Sequence, residues 1–414
     1  MAASNTEMEG LSTGESTSLL DKLDKDLSQS THYSPEERQV VIEQFWKSVE
    51  AGGGSPVLKK TPDGELTAIF LYRSSESLDI TLDCLDLRER LVDKDGHLKQ
   101  FTKIEGSDVY YLKVENLPQN TCIPYEIEIN GKSQADPLNP MQFQLPLFSP
   151  AGNTVSLAER KSSVLDIAHV PNRSFWCNNK VPEPQGSVES TVVAGESDDI
   201  NFGERKCWIY KPPDFNPTRT PPYKMLLVLD GSSYISMTPP WLDDQVAKSV
   251  DISNTVVVFV GNVNPESVSS RFNDSQPSTF EAHRQYEYIT HGKAFSNFVV
   301  NCVIPHLNNP DLDLNVSEKP DEIMLAGFSM SGHCAAETGL HHSDKIGGVI
   351  LLSPALNNRS GELIEEYQSA DKINLRIYVS IGKFEDRVPD DPAVIAESRL
   401  EVVRRFAETI RDKG

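Results

Sequence analysis

The sequence lacks any apolar run approaching the roughly 18 residues that a membrane span needs, so no transmembrane segment is expected. Its first stretch, Met1 to Ser30, has no basic start followed by an apolar block, and no secretory leader is read there. Cysteine is sparse and scattered: Cys84, Cys122, Cys177, Cys207, Cys302 and Cys334 include no CxxC pair and no close Cys/His cluster, which argues against a disulfide scaffold and a zinc site. Positive charge is also short. With 39 Lys+Arg against 61 Asp+Glu, the formal charge of −22 repels nucleic acid and anionic membranes at long range. The expectation is a soluble, cytoplasmic protein with no metal or other cofactor and neither nucleic acid nor membrane as partner.

At 414 residues the chain exceeds one ordinary core and fits two domains with some unstructured sequence. Residues 1–36, rich in Ser, Thr, Asp and Glu, bury too little apolar surface to offset chain entropy and are expected to form a disordered tail. Ser34-Pro35-Glu36-Glu37 nevertheless reads as a helix start, leading through Val40, Val41, Ile42, Phe45 and Trp46 to a stop near Gly52-Gly53-Gly54. Short β-type runs follow at 66–72, 78–82, 109–114 and 125–129, the last closed by Asn130-Gly131. They predict a small β-sandwich within residues 37–150, and the Pro, Ser, Asn and Gly of residues 151–190 read as a linker.

From residue 191 to 414 the periodicity changes. Strands at 207–210, 224–229, 255–260, 322–326, 349–352 and 375–380 alternate with helices at 293–307, after Ser329 and through Val402, Val403, Phe406 and Ile410. Such alternation, with strands apolar on both faces, predicts an α/β-hydrolase-like, mostly parallel sheet covered on two sides.

The chemistry-bearing element is Gly327-Phe328-Ser329-Met330-Ser331-Gly332, preceded by the strand Ile323-Met324-Leu325-Ala326 and followed by Cys334, Ala335 and Ala336. A serine on a tight turn between a buried strand and a helix exposes its Oγ above the sheet and aims backbone N–H groups at a developing oxyanion. The last Gly of the GxSxG pattern is Ser331 here, and a serine before an apolar run is also a common helix cap. The second oxyanion donor is expected from Leu229-Asp230-Gly231-Ser232-Ser233, so Met330, Gly231 and Ser232 are the candidate amides, although an ordinary βα turn has the same composition. An acid is expected after the strand ending at Ser380, where Glu385 and Asp386 both qualify. No histidine follows them. His283, His291 and His306 precede the elbow and His333, His341 and His342 follow it, none in the usual chain order, so the domain is expected to lack its last strand and histidine loop.

These segments resemble the enterochelin (ferric enterobactin) esterase family from about Phe45 to the C-terminus. Phe45-Trp46, Gly54-Ser55-Pro56-Val57, Thr67 to Arg73 and especially Asp136-Pro137-Leu138-Asn139-Pro140 are similar to motifs of its N-terminal domain. Trp208-Ile209-Tyr210, Leu229-Asp230-Gly231, Arg284 with Glu287, the 327–332 elbow and Gly382-Lys383-Phe384-Glu385 fall in the order of its hydrolase domain. The resemblance implies a metal-free serine esterase acting on a siderophore-like or other small ester, with a ferric catecholate as partner molecule. It favours Glu385 over Asp386 and offers Arg284 as a weak contact for an anionic substrate, against a structural Arg284–Glu287 pair. A non-catalytic binding or scaffold protein on a degraded hydrolase fold is the alternative.

Overall fold

The structure, a computed structural model, describes residues 34–60, 66–146, 157–167, 185–235, 242–243, 250–262, 280–386, 388 and 397–413, with isolated positions between 20 and 27. It divides into two compact units, one of residues 1–145 and 158–180 and one of residues 146–157 and 181–414.

In the first unit, helix α1 (Pro35–Ala51) begins on a capping box: the Glu37 N–H donates to Ser34 Oγ and the Ser34 N–H donates back to the Glu37 carboxylate. Ile42, Phe45, Trp46 and Val49 make its buried face at i, i+3, i+4, i+7 spacing. Nine strands follow: β1 (Val57–Lys60), β2 (Leu66–Arg73), β3 (Ile80–Asp83), β4 (Thr102–Lys103), β5 (Val109–Leu117), β6 (Cys122–Ile129), β7 (Lys132–Gln134), β8 (Gln142–Pro146) and β9 (Leu157–Asp166). One antiparallel sheet has the order β1-β2-β5-β4 and the other β3-β6-β9-β8, with β7 paired to β6. β2 is buried on both faces because its alternate residues have different partners. Ile69 and Leu71 pack against α1, while Phe70 meets Tyr125 of the second sheet edge-on at 4.9 Å between ring centroids.

The Asp-Pro-Leu-Asn-Pro motif is the staple of this unit. Buried Asp136 accepts hydrogen bonds from Ser55 Oγ (2.7 Å), the Tyr125 hydroxyl (2.8 Å) and the Leu138 N–H (2.9 Å), and Asn139 donates to the Tyr125 hydroxyl and the Val164 carbonyl. Gly54 has φ +90, and a Cβ there would lie 2.1 Å from the Leu138 carbonyl oxygen, so that approach requires glycine.

Two expectations about chain organisation differ from the structure. Leu20, Leu23 and Leu27, from the stretch read as tail, are buried in the cluster under α1, because three leucines at helical spacing carry enough surface to dock even in a polar segment. β9 lies inside the stretch read as linker and pairs with β6; with Glu159, Arg160, Lys161 and two serines it has too few apolar residues to show a period-2 signal.

The second unit is built on seven strands in the order β10-β11-β13-β12-β14-β15-β16: β10 (Ser187–Ser197), β11 (Ile200–Lys211), β12 (Lys224–Val228), β13 (Thr255–Val260), β14 (Ile323–Phe328), β15 (Gly348–Leu352) and β16 (Arg376–Ser380). β13, β12, β14, β15 and β16 run parallel, and β10 and β11 close one side antiparallel. One face is covered by α2 (Gly292–Phe298), α3 (Met330–His341), α4 (Glu362–Ser369) and α5 (Arg399–Lys413), whose Phe295, Phe298, Ala335, Tyr367 and Phe406 pack on Leu325, Val349 and Leu351. The helix read at 293–307 is continuous but passes through a π-turn, Val299–Val303.

The opposite face is covered only in part. Trp208, Tyr210, Val257 and Phe259 are buried there with Leu242, whereas Phe328, Leu352 and Tyr378, on the same face of β14 to β16, are 43%, 40% and 58% exposed. The sheet expected to be covered on two sides is therefore half open among the described residues. Beside β11, under α2, lies a fully buried ion pair: Arg205 donates to both oxygens of Glu287 (3.3 and 3.0 Å) and sits over the rings of Phe295 and Phe298.

Candidate active site

β14 delivers Ser329 to the carboxyl end of the sheet, half-buried and with φ 58°, ψ −117°, a conformation that L-residues with a side chain rarely adopt. Its neighbours impose it. A Cβ at Gly327 would stand 2.1 Å from the Ser331 carbonyl oxygen, so the turn closes only over glycine. The Ser329 N–H donates to the Leu352 carbonyl (3.0 Å), and its own carbonyl accepts from the His333 and Ala355 amides (3.0 and 2.9 Å). The backbone is thus held on three sides, while Oγ makes no capping bond and no other hydrogen bond among the described residues. Ser331, at the place of the pattern's last glycine, fits by using its side chain: Oγ accepts from the Phe328 N–H and donates to the Phe328 carbonyl, both at 2.9 Å.

β12 is the immediate neighbour of β14, with Val228 opposite Ala326, so the turn after β12 stands beside the elbow. There Gly231 to Tyr234 form one helical turn, led by Asp230 in the left-handed region at φ 56°. The N–H groups of Gly231, Ser232 and Met330 occupy first-turn positions, which have no acceptor within their own helix. Asp230 is buried and receives Arg284 two-pronged, Nε on Oδ1 at 3.0 Å and Nη2 on Oδ2 at 2.9 Å, with Asn262 Nδ2 adding a third bond at 2.8 Å. The guanidinium of Arg284 is thus engaged by Asp230, and the carboxylate of Glu287 by Arg205.

Glu385 lies beyond β16 on the same edge. Its Oε1 accepts from Ser353 Oγ (2.6 Å) and the Gly382 N–H (3.1 Å), and its Oε2 from Arg399 (3.1 Å). Ser353 follows β15, the strand between β14 and β16, and so links the serine side of the site to the acid side. Asp386 is exposed.

No described histidine bonds to Ser329 or Glu385. His306 meets Thr191 (2.7 Å), His341 meets Glu366 (2.9 Å), and His291 lies 4.3 Å from the Tyr286 ring. His283 is buried and His342 half-buried. His333, one turn past Ser329, is fully buried with Nδ1 on the Ala355 carbonyl (3.2 Å), and burial pushes its imidazole down to about 3, with Arg359 adding to the effect. Such a ring stays neutral and structural. His32 and His169 lie outside the described residues. Among the described residues no group of three or more His, Cys, Asp or Glu is placed to hold a metal ion.

A family model described as "Putative esterase" matches residues 201–414. The chain belongs to that esterase family. No curated protein matches it. Among solved structures it is similar over both units to the enterobactin esterase FES from Shigella flexneri in the presence of enterobactin, covering 89% of this chain and 90% of that one at 17% identity and a TM-score of 0.61. The ferric enterobactin esterase (fes) from Salmonella typhimurium covers 89% and 90% at 15% identity and a TM-score of 0.61. These likenesses establish the fold, an α/β esterase unit preceded by a β-rich one, as the sequence predicts.

In this esterase-family chain, Ser353, Arg399 and Asn262 are site-edge residues that sequence reasoning missed. Each is a polar residue in a loop or at a helix start, where no periodicity marks it. A signal existed only for Ser353, which follows the apolar run Val349 to Leu352 at a strand's carboxyl end, the place where α/β sheets gather functional groups.

Proposed function

We propose that this chain is a serine carboxylic-ester hydrolase. Ser329 Oγ attacks the ester carbonyl, the alcohol leaves, and water then releases the acyl group; the Met330, Gly231 and Ser232 amides receive the oxyanion, and Glu385 is the acid of the site. The observation that carries this reading is the backbone of Ser329, held at φ 58°, ψ −117° with its hydroxyl making no capping bond and unbonded among the described residues. A helix start has no need of that strain, whereas a nucleophile raised above a sheet does.

The substrate class we favour is a siderophore-like catecholate ester or another small ester, met in the cytoplasm, with iron as cargo. Its support is the enterobactin named for the structures of similar fold. Among the described residues no histidine stands beside Ser329 as a base and no strand joins the sheet beyond β16, and the face at Phe328, Leu352 and Tyr378 is open. A second reading, a non-catalytic binding protein on this fold, is favoured by Glu385, both of whose oxygens are engaged by Ser353, Gly382 and Arg399.

Hydrolysis of p-nitrophenyl acetate separates the two. General-base assistance is worth about 10² to 10⁴ in rate, so the chain should turn over slowly, above buffer, and lose that turnover in Ser329→Ala. Equal rates for the two proteins would select the binding reading.

A further inference from the structure

We infer that Arg284 is a positioning residue for the oxyanion turn: by gripping Asp230 it holds the Gly231 and Ser232 amides beside Ser329. The inference rests on the reading of Ser329 as nucleophile, and it starts from a local conflict. Asp230 is a side-chain-bearing residue in a left-handed conformation (φ 56°, ψ 35°) at the point where β12 turns into the one-turn helix that carries both amides. Its carboxylate is also buried one residue before groups meant to receive negative charge, an arrangement that would oppose an oxyanion if left uncompensated.

Arg284 answers both problems. Its two nitrogens take one carboxylate oxygen each, at 3.0 and 2.9 Å, fixing the direction of the side chain and cancelling its charge. Other groups complete the clamp. Asn262 Nδ2 donates to Asp230 Oδ1 (2.8 Å) and the Asn262 N–H donates to Ser232 Oγ (3.2 Å), tying the far side of the turn to the same point. Gly231 leaves no slack, since a Cβ there would come within 2.4 Å of the Phe259 carbonyl carbon on β13. Arg284 is itself anchored: it ends the short helix Phe280–Arg284 and leads directly into the π-turn Gln285–Thr290, which Glu287 pins to Arg205. An irregular helix fastened by a buried ion pair thus presents one guanidinium to one carboxylate.

The test uses the full chain, p-nitrophenyl acetate and amide hydrogen exchange of the 229–235 segment. In Arg284→Met, kcat should fall about 10²-fold, the effect of losing an oxyanion donor, with KM within about twofold, and 229–235 should exchange faster while β13 and β14 do not. Asp230→Gly, which adopts the same backbone freely but offers no carboxylate, should show the same loss. The double variant should be no worse than the poorer single one, because both changes break the guanidinium–carboxylate grip, Asp230→Gly removing the Asn262 bond as well. If Arg284→Met does not fold, Arg284→Lys takes its place, keeping the charge without the two-pronged grip, and should still lower kcat and loosen 229–235. Unchanged kcat in a folded Arg284 variant, unchanged exchange of 229–235, or additive losses in the double variant would each overturn the inference. Ser329→Ala with the wild-type rate would instead sink the esterase reading, and the exchange measurement would still decide whether Arg284 holds the turn.

Discussion

Gly327 and Ser331 are the two residues on which the elbow closes. Gly327→Ala forces a methyl group into the Ser331 carbonyl, and the expected outcome is loss of both ester turnover and folding of the α3 end of the unit, read by activity and by amide exchange of residues 327–333. Ser331→Ala removes two hydrogen bonds to Phe328 and should cost about 1 kcal/mol while leaving the turn formed. His333 carries a pH dependence. Its folded imidazole titrates near 3 against an ordinary value of 6.5, so between those values the unfolded chain binds the extra proton. The stability this residue contributes is complete above pH 6.5 and falls as pH drops toward 3, by up to about 1.4 kcal/mol per pH unit. Asp136 and Glu337 act with the opposite sign, since burial raises their carboxyls and their contribution is lost as pH rises through the folded values. His333→Asn, which keeps a donor for the Ala355 carbonyl, isolates the histidine: urea midpoints of the two proteins should converge as pH falls from 6.5 to 4. Parallel profiles would contradict the assignment. At this scale the elbow was legible because strand, glycine and serine are consecutive. The grip of Arg284 on Asp230 was not, because the two are 54 residues apart in sequence.

Strands buried on both faces were the most legible elements. β13 is Thr-Val-Val-Val-Phe-Val and all six residues are buried, so a solid apolar run leaves little room for another reading. β9 and the buried leucines at 20, 23 and 27 were not legible, since their apolar residues are few and their partners come from other parts of the chain. The half-open sheet was also invisible to periodicity: Leu351 and Leu352 are adjacent leucines in one strand, yet the first is fully buried and the second 40% exposed. This contrast is measurable. Leu351→Ala should destabilise the second unit by about 2 to 5 kcal/mol and Leu352→Ala by no more than about 0.5 kcal/mol, read from exchange of β14 amides. Similar costs at the two positions would mean that the second face is covered after all.

On the scale of the whole molecule, two units of different architecture are joined by a chain that crosses between them more than once, and the −22 formal charge sets how charged substrates arrive. An acidic protein should disfavour an anionic ester at low salt and relent as the Debye length shrinks from about 30 Å at 0.01 M to about 8 Å at 0.15 M. KM for an anionic aryl ester should therefore fall across that range while KM for a neutral one stays level. An unchanged ratio would point to a local basic site that outweighs the global field.

Whether Ser329 is a nucleophile is read out by a fluorophosphonate. Its phosphorus accepts Ser329 Oγ, fluoride leaves, the proton passes to solvent, and the adduct records the attack even when turnover is slow. Intact mass and peptide mapping of the folded full chain should show one adduct, on Ser329, absent from Ser329→Ala. A folded protein that takes no label, or takes it at another serine, would rule out Ser329 as the nucleophile.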